Sequence, residues 1–464
     1  MPAIDLALLS AEDMLARFER RTLSPVEVLQ AVTERVARLN PGLNAFAVMN
    51  PRALEAAGES EMRWRAGRPL GVLDGVPCTV KDLVDLAGFP TRRGSRTTDP
   101  APVADDAPAV VGLKAAGAVI LGKTTTTEFG WKTPGDCPLH GITRNPWNPA
   151  YTTGGSSSGA AAAGAAGFGP LHIGTDAGGS IRIPAAWCGL VGLKPTFGRI
   201  PVWPASAFPG VAVAGPITRT VRDAALMLTA TARYDLRDPF VVPDDGRDWR
   251  DGIEAGVADL AVGVLRRPGF AAPVDAEAVA AVEQAAALLA DAGASVEEAA
   301  PELPDTRAIF AGVWGASLAR LAASLPEAKR VLLDAGIREV AARLDGMTAI
   351  QYLDGESARA AAAHAMARLH QRFDLVLCPT VPGGPPLADA PTENPVEALW
   401  TEWAPWTFTF NLTRQPAITV PLGLRQNGLP NAVQIAAAQY REDLVFRAAR
   451  VLEQAAPFPV PASG

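Results

Sequence analysis

Two glycine- and serine-rich runs lie near the middle of this 464-residue chain, GGSSSG at 154–159 and GTDAGGSIR at 174–182. The glycines around Ser180 allow several backbone N–H groups to point at one position. Such a cluster of donors can stabilise the oxyanion of a tetrahedral intermediate. Neither run contains a histidine, so a serine nucleophile here needs another base. The runs therefore predict tight loops that bring two serines into one site with Lys81, which lies upstream.

Lys81 follows a run of apolar or small residues at 76–80, which predicts a buried strand. A lysine at the end of that strand would be held on a rigid element among apolar neighbours. Burial disfavours the charged form, so we expect a depressed lysine pKa. A neutral amine can act as a base through an intervening hydroxyl, and Ser156 is the expected intermediary.

Helix and strand patterns alternate along the chain. Ser24, Pro25 and Glu27 supply an N-cap, a first-turn proline and a capping-box glutamate, which predict a helix from about 25 to 39. The apolar patterns predict further helices at 108–116, 160–167, 276–292 and 357–372, and strands at 118–121, 260–265 and 374–378. Such alternation predicts an α/β sheet.

Several further motifs accompany the two runs, and together they resemble the amidase signature family of Ser-cisSer-Lys amidohydrolases. Besides the runs, these motifs lie at 81–82, 94–95, 122–124, 143–147, 192–196, 411–412, 415–421 and 428–430. The resemblance is dense from about 70 to 228 and thin from about 240 to 400. It implies an α/β fold with a mixed β-sheet core flanked by helices on both faces.

The same resemblance implies one domain over residues 1–464. Within it we expect an N-terminal helical region (1–69), a catalytic core (70–228), a variable substrate-side region (240–400) and a C-terminal return to the core (401–464). None of the proline- and glycine-rich stretches has the low-complexity character of a flexible linker.

By resemblance, Ser180 is the nucleophile of a carboxamide hydrolase, Ser156 relays its proton to Lys81, and the 155–156 peptide bond is cis. The products would be an acid and ammonia or an amine, with ester or carbamate cleavage as side activities. The implied oxyanion donors are the backbone N–H groups of Ala177, Gly178, Gly179 and Ser180. The supporting residues are Asp82, Ser157, Asp176 and Arg182, each of which could instead be a structural ion pair or cap.

Aromatic residues are the only sequence guide to the substrate. Residues 400–410 carry three tryptophans and two phenylalanines just before a family-like motif. They suggest an apolar or aryl acyl pocket and small apolar or aryl substrates. The candidates are Phe129, Trp131, Trp203, Phe208, Trp314, Trp403 and Trp406, and the alternative is that most are core residues.

Composition excludes several other functions. A net charge of −7 with scattered lysines and arginines does not suggest nucleic-acid binding. We read no secretory signal and no membrane-spanning run, and the four cysteines show no CxxC pairing, so a cytoplasmic protein without a disulfide framework is expected. The four histidines lack metal-site spacing, so no metal and no cofactor are expected. The expected partner is a small amide, with a homodimer as an option.

Three alternatives remain open at this point. Residues 155–159 also fit GxSxG, the nucleophile elbow of α/β-hydrolases, but its histidine would have to be His364 or His370, both in an alanine-rich helical stretch. A second is the glutaminase component of a tRNA-dependent amidotransferase, although residues 210–214 replace the Ser-Ser-Leu-Asp stretch familiar there. The third is a catalytically silent binding or scaffold protein, which the intact triad disfavours.

Overall fold

The computed structural model describes residues 4–268, 270, 273–390 and 404–461. Its strands, in chain order, are β1 (Phe46–Met49), β2 (Pro77–Lys81), β3 (Val119–Thr124), β4 (Asp136–Cys137), β5 (Gly141–Ile142), β6 (Leu171–Asp176), β7 (Val191–Lys194), β8 (Val213–Thr218), β9 (Ala261–Val264), β10 (Ser295–Glu298), β11 (Leu375–Pro379), β12 (Ala417–Leu424) and β13 (Pro430–Ala437). Strands β4 and β5 form a small hairpin, and the other eleven form one sheet.

The helices surround this sheet. They are α1 (Ala11–Glu19), α2 (Pro25–Leu43), α3 (Ala53–Arg65), α4 (Pro108–Ala115), α5 (Ser158–Ala166), α6 (Arg182–Cys188), α7 (Val221–Thr231), α8 (Ala276–Asp291), α9 (Thr306–Ala323), α10 (Glu327–Arg330), α11 (Ala335–Arg343), α12 (Ala349–Leu369), α13 (Thr407–Leu412) and α14 (Glu442–Ala455). Within the described ranges, no helix combines the length and apolar character needed to cross a bilayer.

The strand order is β1-β3-β2-β6-β8-β7-β12-β13-β11-β9-β10. Strand β2 pairs in parallel with β3 and β6, whereas β8 is antiparallel to both β6 and β7. The largest core packs residues of α7, α8 and α14 with strand residues, and a separate core of small α5 and α6 residues includes Ile217 of β8. The predicted mixed α/β sheet with helices on both faces is confirmed.

The predicted elements are present, with shifted ends. The capping box at Ser24 and Glu27 forms, but α2 continues through Pro41 and ends at Leu43, and its C-cap residue Asn44 adopts the left-handed conformation. Helix α12 begins at Ala349, eight residues before the predicted start, because Thr348 and Gln351 form a second capping box. That box starts a helix whose apolar pattern is weak at its N-terminal end.

Helix α5 positions the first glycine–serine run against the sheet. All nine of its residues are buried. A Cβ at Gly159 would lie 2.2 Å from the carbonyl oxygen of Ala45 and 2.5 Å from the backbone nitrogen of Thr125. Because only a glycine allows this approach, the first turn of α5 is held next to the ends of β1 and β3, and the serines before it are held with it.

We expect Gly159→Ala to destabilise the protein. The added methyl group would have to displace backbone atoms, and overpacking of this kind costs about 1–3 kcal/mol. Gly58→Ala is the matched control, because Gly58 also lies in a helix but has no heavy atom within 4 Å of the added Cβ. Thermal unfolding should show a lower midpoint for Gly159→Ala and an unchanged or higher one for Gly58→Ala. Equal midpoints for the two variants would contradict this account of α5.

Candidate active site

Lys81 is the last residue of β2, and its side chain is fully buried. Its Nζ lies 2.8 Å from Ser156 Oγ, 2.9 Å from Ser157 Oγ and 2.8 Å from Thr175 Oγ1. Strand β6, which pairs in parallel with β2, carries Thr175. The amine is therefore enclosed by three hydroxyl groups that two neighbouring segments supply.

No carboxylate of a described residue forms an ion pair with Lys81. Burial lowers the pKa of Lys81 well below its ordinary value, and the charge of Asp176 opposes this only in part. A fully buried ammonium without an acid partner is costly, and loss of the proton removes that cost. The geometry thus favours a neutral amine, as the sequence predicts.

Ser156 lies at a sharply bent segment before α5. The Gly155–Ser156 peptide bond is cis, as the resemblance implies. A Cβ on Gly130 would lie 3.2 Å from Ser156 Oγ, so the backbone of the 128–130 turn packs directly on this hydroxyl. Ser157 donates its backbone N–H to the carbonyl of Ser180 over 3.2 Å, which links the two glycine–serine runs.

The second run is a loop between β6 and α6, and a buried ion pair holds it. Arg182 bonds to both carboxylate oxygens of Asp176, at 3.0 and 2.9 Å, and both side chains are fully buried. Burial alone would raise the pKa of Asp176, but the charge and hydrogen bonds of Arg182 hold it below its ordinary value. The carboxylate also accepts the N–H groups of Gly179 and Ile181.

Distant parts of the chain complete this network. Arg182 donates to the side chains of Asn411 and Gln434 and to the carbonyl of Thr407. Asn411 in turn donates to Asp176, and the Thr407 hydroxyl donates to the carbonyl of Gly178 over 2.6 Å. Helix α13 and strand β13 thus fix the loop that presents Ser180.

Ser180 is partly exposed, unlike the buried Ser156. In the described residues no hydrogen bond joins the Ser156 and Ser180 hydroxyls. Of the four N–H groups expected as oxyanion donors, that of Gly179 is bound to Asp176. Those of Ala177, Gly178 and Ser180 have no protein acceptor within the described ranges, which leaves them free for a substrate oxygen.

The supporting residues separate into two groups. Ser157, Asp176 and Arg182 contact the lysine or the Ser180 loop as described. Asp82 instead pairs with the buried Lys123 at 2.9 Å, which is the structural alternative foreseen for it. Thr175, Thr407, Asn411 and Gln434 were not singled out from the sequence, although Thr175 lies in the second run and Asn411 in a family-like motif.

The aromatic candidates lie in three places. Phe129, Trp131, Phe208 and Trp314 share one buried cluster, against which Ala177 of the Ser180 loop packs. Trp406 lies in a different cluster, and Trp203 is 45% exposed in a loop. Trp403 lies outside the described residues. Helix α9 brings Trp314 to Trp131, with ring centroids 6.0 Å apart.

A network of charges fixes the 128–136 segment. Lys132 Nζ lies 2.7 Å from Asp136 and 3.0 Å from Asp334, the residue that caps α11. Burial lowers the pKa of Lys132, but the two aspartates outweigh it and the pKa is raised, so the lysine stays charged. Glu128 also accepts the Asp334 N–H over 2.6 Å. The segment that packs on Ser156 is therefore bound to the 306–343 region.

The histidines required by the nucleophile-elbow alternative do not reach the 155–159 run. His364 is exposed on α12, and His370 contacts the carbonyl of Phe373 and the side chain of Gln415. Ser157, the serine that the motif would use, bonds to Lys81 and to Thr175 instead.

Comparison with known proteins shows likeness over nearly the whole chain. A family model described as Amidase matches residues 27–446. An acylamidase of Rhodococcus erythropolis is 35% identical over 98% of this chain and 97% of its own length. A glutamyl-tRNA(Gln) amidotransferase subunit of Methylococcus capsulatus is 33% identical over 96% of each chain. The solved structure of a bacterial aryl acylamidase superposes with a TM-score of 0.89, at 29% identity, over 97% of this chain and 96% of its own.

We expect Gly336→Ala to disturb the aromatic cluster. A Cβ at Gly336 would lie 2.0 Å from the indole of Trp131, so the ring must move. Gly312→Ala on α9 is the control, because nothing lies within 4 Å of its added Cβ. The ratio of kcat/KM for a bulky apolar acyl group to that for acetyl should fall in Gly336→Ala and stay constant in Gly312→Ala. Unchanged ratios in both variants would argue against an acyl pocket at this cluster.

Proposed function

This chain belongs to the amidase signature family and is an amidase that hydrolyses amide C–N bonds, and from that premise we propose that Ser180 is the nucleophile, with Ser156 and Lys81 as its proton relay. The observation that carries this proposal is the environment of Lys81. Its buried amine touches hydroxyl groups and has no acid partner within the described ranges. Such an amine is neutral and can accept a proton.

In the first half of the reaction, Ser180 Oγ attacks the amide carbon while its proton passes through Ser156 Oγ to Lys81 Nζ. The Ser156–Ser180 hydrogen bond forms with substrate bound, since catalytic hydrogen bonds often tighten only in the complex. The carbonyl oxygen becomes an oxyanion and accepts the free N–H groups of the Ser180 loop. As the C–N bond breaks, Ser156 donates a proton to the departing nitrogen and recovers one from Lys81.

In the second half, water attacks the acyl carbon of the ester on Ser180. Its proton follows the same path to Lys81, and the tetrahedral intermediate collapses with release of Ser180 Oγ, which takes the proton back. The net reaction consumes one amide and one water, and yields one carboxylic acid and one ammonia or amine. Esters and carbamates present the same carbonyl and are candidate side substrates.

For the substrate we propose small apolar or aryl amides. The support is the buried aromatic cluster next to Ala177, because Ala177 adjoins the predicted oxyanion donors. The names of the similar acylamidase and aryl acylamidase agree with such substrates. A panel of primary amides, anilides, aryl esters and carbamates, compared by kcat/KM, tests this assignment.

The likeness to an amidotransferase component supports a second candidate, a glutaminase that supplies ammonia to a partner. Residues 210–214 weaken it, since they are GVAVA and bring no charged side chain towards the site. Ammonia release from glutamine, with and without a candidate partner protein, separates the two functions.

Ser180→Ala should abolish hydrolysis, with a loss of at least about a thousandfold in kcat, because no other group forms the acyl-enzyme. A fluorophosphonate probe should label the wild type and not this variant. Ser158→Ala is the matched control: Ser158 Oγ is buried, has no partner in the described residues and does not touch Lys81. Labelling of Ser180→Ala at the wild-type rate would disprove the assignment.

Activity should fall on the acid side of the pH profile. Below the pKa of Lys81 the amine is protonated and cannot accept the serine proton, and burial sets that pKa well below 10.5. Thr175→Val removes a hydroxyl that accepts a hydrogen bond from Nζ. Since such bonds are stronger to the ammonium, the pKa should drop further and the acid limb of kcat/KM should move to lower pH. A limb that moves to higher pH, or stays in place, would contradict the role of Lys81.

A further inference from the structure

A small cavity of ≈ 60 Å³ lies beside the lysine site. It reaches Thr175, whose hydroxyl bonds to Lys81 Nζ. Its walls are mostly apolar and include Leu83, Val84 and Phe129. Among the described residues that line it, Arg93 alone carries a charged side chain.

The guanidinium of Arg93 has unused hydrogen-bonding capacity. Within the described ranges it makes no hydrogen bond, and its nearest carboxylate oxygen, on Asp85, is 4.0 Å from Nη2. The backbone of Arg93 has φ 53°, a conformation that a glycine would adopt without strain. Non-glycine residues held in this conformation cluster at functional sites. A strained arginine that faces an apolar cavity with free donors is suited to bind an anion.

The cavity adjoins the 128–130 turn that packs on Ser156, because Phe129 of that turn lines it. Phe129 donates its N–H to the carbonyl of Arg93 over 2.8 Å, and the next residue, Gly130, packs on Ser156 Oγ. In the proposed mechanism Ser156 protonates the departing nitrogen, so the leaving group must be adjacent to that hydroxyl. Phe129 lines this cavity and also belongs to the aromatic cluster; in the proposed mechanism the acyl group takes the part of the cluster at Ala177, next to the oxyanion donors.

We propose that Arg93 binds a carboxylate on the leaving amine, so that the preferred substrates are N-acyl derivatives of short amino acids. This inference rests on the function proposed above. A volume of ≈ 60 Å³ is that of about two water molecules, which matches a carboxylate on a short methylene link. Asp85 offsets part of the positive charge, while Lys123 nearby is neutralised by Asp82. The preference for a carboxylate over an uncharged group on the leaving amine is therefore moderate.

The test compares matched pairs of amides by kcat/KM. N-phenylacetylglycine is paired with N-isobutylphenylacetamide, and N-phenylacetyl-β-alanine with N-isopentylphenylacetamide, so that an isopropyl group replaces each carboxylate at equal size. In at least one of the two pairs, we expect the wild type to show a kcat/KM about tenfold higher for the carboxylate than for its isopropyl counterpart. Tenfold is the scale of one charge-assisted hydrogen bond. Arg93→Gln should bring that ratio to about one, chiefly by raising KM for the carboxylate, and Arg93→Lys should retain part of it.

Arg96→Gln is the control, since Arg96 lies in the same segment but is exposed and does not line the cavity. It should leave the ratio unchanged, and the melting temperature of each variant shows whether it folds. An unchanged ratio in folded Arg93→Gln and Arg93→Lys overturns the proposal, as does a wild type without preference for carboxylate.

A third series, with the carboxylate on the acyl side as in N-propylsuccinamate, tests the orientation. If Arg93→Gln affects only this series, the assignment to the leaving group is wrong. The uncharged amides distinguish failure of the Arg93 proposal from failure of the proposed function. If the wild type hydrolyses them and Ser180→Ala does not, the proposed function stands whatever the role of Arg93. If Ser180→Ala hydrolyses them, the proposed function itself fails.

Discussion

The burial of the Lys81 amine is the constraint on which the rest of the site depends. An ammonium in that position would need a carboxylate, and the described residues provide hydroxyls instead. The desolvation that lowers its pKa is supplied by the sheet, because Lys81 ends a strand that is buried along its whole length. The fold therefore favours the neutral amine of a residue that is ordinarily charged at neutral pH, as the proposed role of Lys81 as a base requires.

The position of the Ser180 loop depends on a second set of buried charges. Here, unlike at Lys81, the charged groups pair with each other. The Asp176–Arg182 pair is fully enclosed, and such pairs are tolerated only when further hydrogen bonds satisfy both groups. Asn411 and Gln434 provide those bonds from the C-terminal part of the chain. The network links segments more than 200 residues apart, so the geometry of the Ser180 loop depends on correct assembly of the whole sheet.

Part of the surroundings of the site comes from the stretch of sequence that resembles the family least. Trp314 on α9 and Asp334 before α11 both contact the 128–136 segment, which packs on Ser156. Changes in the 306–343 region can thus alter the aromatic cluster without touching Lys81, Ser156 or Ser180. Arg93, by contrast, lies inside the densely matching region and lines the small cavity at Thr175.

The sequence by itself determined the α/β class and most elements, because strand and helix periodicity and glycine spacing are local properties. The proposed roles of Lys81, Ser156 and Ser180 came from the resemblance of their motifs to the family. The sequence also predicted a neutral Lys81, since apolar neighbours adjoin it in the chain. Only the tertiary structure decided that Asp82 pairs with Lys123, that Gly179 donates to Asp176, and that Asn411 and Gln434 brace the loop. These contacts join residues from different strands and helices, and their partners follow from the strand order and the packing of helices on the sheet, which no local pattern encodes.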